Sequence, residues 1–84
     1  MNFIEKYDLL ERIALFIRQE KTGKLEEFAK KCGIENRDRL FDCIEILRQF
    51  TGREGGKILY DRNRKTYYFN PRGKFTDFKF IEDE

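Results

Sequence analysis

The sequence predicts an α+β domain in which three helices precede a β-hairpin. Two observations carry that expectation. Apolar residues recur at helical spacing from Phe3 to Phe50, and the pattern then changes to short β-branched and aromatic runs. At 84 residues the chain has room for one domain and one core. Nine phenylalanines and four tyrosines let few positions supply much apolar area, which offsets a charged fraction of 40%.

Phe3, Tyr7, Leu10, Ile13, Ala14 and Ile17 form one stripe and predict a helix over 3–19. Lys21, Thr22 and Gly23 break it. Leu25, Phe28, Ala29 and Cys32 predict a short second helix over 25–32, with Gly33 where a helix stops. Asn36 is a good cap for a third helix over 36–50, whose inward side carries Leu40, Ile44 and Leu47. Thr51 and Gly52 are read as its end, and Glu54-Gly55-Gly56 as a flexible turn. Strands are expected at 57–61 and 66–70, joined by the polar loop Arg62-Asn63-Arg64-Lys65. The tail 74–84 is expected to add one further strand, with Phe78 and Phe80 on one face and a frayed acidic end.

Several kinds of chemistry are not supported. The chain has no histidine and no serine, which removes the usual general base and the commonest nucleophile. Two cysteines without histidine cannot supply four zinc ligands. Gly55-Gly56-Lys57 lacks the hydroxyl residue and the first glycine of a phosphate loop. The expectation is a protein that is not an enzyme and needs no cofactor or metal. Cys32 and Cys43 are expected to be buried free thiols in a reducing compartment. The amino terminus carries an early acid and no apolar run, and no stretch approaches the ~18 apolar residues of a membrane span. A cytoplasmic location without membrane contact is expected.

A short helix, a glycine turn and a third helix have the spacing of a helix-turn-helix, and a hairpin after it would form a wing. Residues Leu25 to Ile34, Ile44 to Arg48, Ile58 to Arg62 and Tyr67-Tyr68-Phe69 together resemble the winged helix-turn-helix domains of WYL-type and DeoR-type bacterial transcription regulators. The resemblance covers roughly residues 9–70. It implies that the third helix lies in the major groove of duplex DNA and that the wing touches the backbone or the minor groove. The implied role is a small transcriptional regulator.

Charge distribution agrees with that reading. Residues 36–74 carry a net charge of +5, residues 1–35 balance, and residues 75–84 carry −3. The candidate DNA contacts are Asn36, Arg37 and Arg39 on the third helix and Arg62, Asn63, Arg64 and Lys65 on the hairpin tip. Such a tip can lie along phosphates or enter a minor groove. Tyr67 and Tyr68 must face opposite sides of their strand. The outward face of the third helix is acidic, with Asp38, Asp42 and Glu45; Asp42 and Glu45 have basic neighbours, Arg39 and Arg48, at helical spacing. An acidic face suits a second reading, a protein-interaction module. Phe75, Phe78 and Phe80 would then contact that partner; on the regulator reading, the first helix or this tail would instead pair two copies as a homodimer spanning two half-sites.

Overall fold

The computed structural model describes residues 2–84. Three helices, α1 (Phe3–Gln19), α2 (Leu25–Lys31) and α3 (Arg37–Arg53), precede four strands, β1 (Lys57–Asp61), β2 (Thr66–Asn70), β3 (Gly73–Thr76) and β4 (Lys79–Glu82). The strands form two separate antiparallel hairpins, β1–β2 and β3–β4. The architecture is α+β. No helix among the described residues is long and apolar enough to cross a membrane.

Local chemistry sets the helix ends. The Asn2 side chain accepts the Glu5 amide at 2.8 Å, and the Asn36 side chain accepts the Asp38 amide at 2.8 Å, so each opens a helix. After α2 the chain turns through Gly33 at φ 71°. The Ile34 amide reaches Ala29 O at 2.8 Å and the Gly33 amide reaches Lys30 O at 3.1 Å. Those are the paired bonds of a Schellman cap, closed by the buried Ile34.

The third helix runs three residues beyond the expected end, because Thr51 does not stop it. Thr51 is fully buried, and its hydroxyl donates back to Arg48 O at 3.1 Å. The stop is Gly55, at φ 77°. Its amide reaches Gly52 O at 3.2 Å, and the Gly56 amide reaches Thr51 O at 2.8 Å. The segment read as a flexible turn is therefore a second Schellman cap.

The core joins all three helices to both hairpins. Ile13, Ile17, Phe28, Leu40, Ile44 and Leu47 are fully buried, with Ile58, Phe69, Phe75 and Phe80 packed beside them. Ile58 pairs with Phe69 across the first hairpin, and both face inward. Cys32 and Cys43 are buried free thiols. Burial pushes the Cys32 thiol up to about 11 and raises Cys43 as well.

The tail departs from its expected single strand. Phe75 pairs with Phe80 across a hairpin whose turn is Asp77-Phe78, both with positive φ of 51° and 62°. Phe78 thus lies in the turn and does not share a strand face with Phe80. The Phe80 ring fills a slot left by two glycines: a Cβ on Gly56 would lie 2.7 Å from it, and one on Gly73 2.5 Å. The acidic end is also held. Asp83 donates its amide to Arg72 O at 2.8 Å and pairs with Arg18 at 2.9 Å.

Candidate nucleic-acid interface

The tip of the first hairpin is built around one carboxylate. Asp61 ends β1 and pairs with Thr66, which leaves a four-residue loop, Arg62 to Lys65. Its Oδ1 accepts the amides of Asn63 at 2.8 Å and Arg64 at 3.2 Å, the bonding of an Asx turn. Its Oδ2 accepts Arg64 Nε at 2.8 Å. The side-chain hydrogen bond from Arg64 is the largest of the effects that hold the Asp61 carboxyl below its ordinary value.

Arg64 is thereby folded back onto the body. Its guanidinium also donates to Glu20 and lies 5.4 Å from the centre of the Tyr68 ring. Glu20 caps α1 with φ 56°, and its side chain is largely sheltered; it takes Arg72 as a second partner at 3.3 Å. Arg64 was expected to reach outward with its neighbours. Two carboxylates and a ring hold it against the body with its side chain still half-exposed, so it braces the tip. Arg62, Asn63 and Lys65 remain exposed, and among the described residues Arg62 and Lys65 form no ion pair.

Two further ties fix the hairpin to the helices. Thr22, in the α1–α2 connection, is fully buried. Its amide donates to the Thr66 hydroxyl at 3.1 Å, and its own hydroxyl accepts the Tyr67 amide at 2.9 Å. Arg48 donates from Nε and Nη2 to Ile58 O at 3.3 and 3.2 Å, joining α3 to β1. Tyr67 packs on Phe28 and Tyr60, whereas Tyr68 faces the other side beneath Arg64.

The third-helix candidates lie at its start. Asn36 uses its side-chain oxygen as the cap. Arg37 is exposed and pairs with Glu26 at 3.0 Å, also exposed. Arg39 borders a polar groove against α1 whose walls include Glu5, Asp8 and Arg12. Asp38, Asp42 and Gln49 are exposed on the outer face, and Glu45 is bound by Arg48. The structure therefore gathers Arg62, Asn63 and Lys65 in one loop and Asn36, Arg37 and Arg39 in the first turns of α3.

Phe75 and Phe80 are buried within the chain and have little surface to offer a partner. Phe78 is exposed at 46% and rests 4.2 Å from the Tyr7 ring. The sequence reading missed Glu20 and Thr22. Nothing local marks either one, because their partners lie more than forty residues along the chain. Comparison with known proteins found no matching family model, no matching curated protein and no matching solved structure.

Proposed function

We propose that this protein is a winged-helix DNA-binding protein without catalytic activity, acting as a small transcriptional regulator. The observation that carries the proposal is the hairpin tip. Arg62, Asn63 and Lys65 project from a loop whose conformation is already set by Asp61 and Arg64. Ordering the loop on binding then costs little, and both cations are available to phosphates.

The first turns of α3 add Arg37 and Arg39. Arg37 exchanges one exposed carboxylate for a phosphate, a trade between two solvated partners. The carboxylates on the outer face of α3 can read bases only by accepting, as from the cytosine amino group, while Gln49 beside them can also donate. Affinity on this reading comes mainly from the backbone of the duplex.

The test is fluorescence anisotropy of a labelled random duplex across a salt series. About four phosphate contacts give a log–log slope of about −3 to −4, and affinity falls about a hundredfold from about 50 to 200 mM salt. An Arg62→Ala/Lys65→Ala double variant should bind more weakly, with a slope shallower by about 2. Binding that the double variant keeps in full, or no binding at low salt, would overturn the proposal.

A further inference from the structure

A second surface lies away from the hairpin tip. The side chains of Phe3, Tyr7 and Leu10 on α1, Ile46 and Phe50 on α3, and Phe78 in the β3–β4 turn enclose an apolar groove of about 170 Å³. Phe3 stacks on Phe78 at 6.0 Å between ring centres, and the Tyr7 hydroxyl accepts the Phe78 amide at 3.1 Å. Phe3 is 72% exposed, a position that water penalises unless something covers it.

The size of the groove limits what it can take. A cavity of about 150 Å³ holds one benzene-sized group. This one therefore receives a single leucine- or phenylalanine-sized side chain. Phe3 and Phe78 together expose about 240 Å² of side chain, taking about 200 Å² for a free ring. That is well under half of the ~800 Å² that each partner contributes to a stable dimer.

Charge narrows the choice further. Among the described residues, Lys6 is the one charged residue lining the groove. Arg53 extends the same rim, with its guanidinium 5.5 Å from the centre of the Phe50 ring. Asp77 precedes Phe78 in the turn but lines no part of the groove. A two-fold pairing of this face would gather Lys6 and Arg53 of both copies in one interface with no carboxylate lining the groove to offset them, at a Coulombic cost.

We infer that the groove docks an amphipathic segment of another protein, one large apolar side chain entering between Phe3, Phe50 and Phe78 while flanking carboxylates meet Lys6 and Arg53. The role is separate from DNA binding, since none of these residues belongs to the hairpin tip or the first turns of α3.

The experiment uses two short synthetic helical peptides that share a leucine stripe, one with glutamate and one with lysine on the flanks. Each is titrated into the isotope-labelled full chain and followed by amide NMR, with sedimentation of the free chain in parallel. The glutamate peptide should bind about tenfold or more tightly than the lysine peptide, with shifts confined to the start of α1, the Ile46–Phe50 stretch of α3 and the Phe78 turn. Phe3→Glu changes an exposed ring, so the fold should persist by circular dichroism while affinity drops about tenfold or more. Lys6→Glu, which leaves Arg53 opposed by a carboxylate, should erase most of the peptide preference. Equal affinity for the two peptides, no shifts at millimolar peptide, or binding unaffected by Phe3→Glu would overturn the inference. Self-association of the free chain that Phe3→Glu abolishes would also overturn it and assign the groove to a second copy.

Discussion

The two hairpins hold their turns by opposite means. In the first, the loop after Asp61 is fixed by a carboxylate and folded-back Arg64, and the exposed surface that remains is polar. In the second, a two-residue turn is fixed by an aromatic ring: Phe78 packs against Tyr7, Phe3 and Phe50 from a left-handed backbone position. Hydrogen bonds to one carboxylate can set a loop while leaving its cations in water. Ring packing sets a turn only by tying it to distant helices. The first arrangement suits a tip that meets a charged ligand, and the second suits a brace.

The largest effect should come from the shared ring beneath both hairpins. Phe80 is buried, 5.2 Å from Phe69 and seated against Gly56 and Gly73. Phe80→Ala should cost about 3–5 kcal/mol in urea unfolding. A loss below about 1 kcal/mol would mean that the second hairpin braces nothing. The brace can be separated from its backbone strain at Phe78. Phe78→Ala should cost about 1 kcal/mol, because roughly half the ring is already in water. Phe78→Gly loses the same ring but relieves a left-handed conformation worth about 1 kcal/mol, so it should be at least as stable as the alanine variant. A glycine variant less stable than alanine would show that the turn carries no strain.

Smaller effects are expected on the polar side. Glu20→Gln removes a charge from two partners, Arg64 and Arg72, that are themselves half or more exposed. Unfolding free energy should fall by only about 0.5–1 kcal/mol. The Arg64 side chain should meanwhile gain mobility, seen as loss of its slow-exchanging guanidinium resonances. The smallest effect is acid release of the tip. The Asp61 carboxyl sits below its ordinary 3.8, so the ionised form is favoured in the fold. Its contribution is complete above 3.8 and is lost as pH falls through the lowered value. The amide resonances of Asn63 and Arg64 should move together in that acid range. Movement centred above 3.8 would contradict the Asp61 bonding.

Periodicity located the three helices, because burial on one face imposes the repeat on the sequence, and β-branched and aromatic runs located the first two strands. The β1–β2 loop was legible for the same reason, as a polar run between two apolar ones. The end of α3 was not. Two glycines, Gly52 and Gly55, compete for the stop, and the buried Thr51 decides between them through tertiary packing. The second hairpin was hidden because Asp77-Phe78 carries no glycine or asparagine. Its turn depends on Tyr7, seventy-one positions away. Arg64 looked like one of three equivalent cations. Its bonds to Asp61 and Glu20 and its place over the Tyr68 ring set it apart from Arg62 and Lys65, and the Glu20 and Tyr68 contacts exist only in the fold.

The Asp61–Thr66 pair has a consequence for variation in the hairpin tip. Thr66 is clasped by Thr22, and Asp61 supplies the acceptors for the turn, so the ends of the loop are fixed by residues outside it. Positions 62, 63 and 65 contribute nothing to the core. They form a cassette: side chains at 62 and 63 can be exchanged without refolding the domain while Asp61, Arg64 and Thr66 remain, and position 65, at φ 53°, accepts any residue that tolerates the left-handed backbone, which β-branched ones do not. A lineage, or an engineer, could retarget such a tip one side chain at a time while the body stays the same.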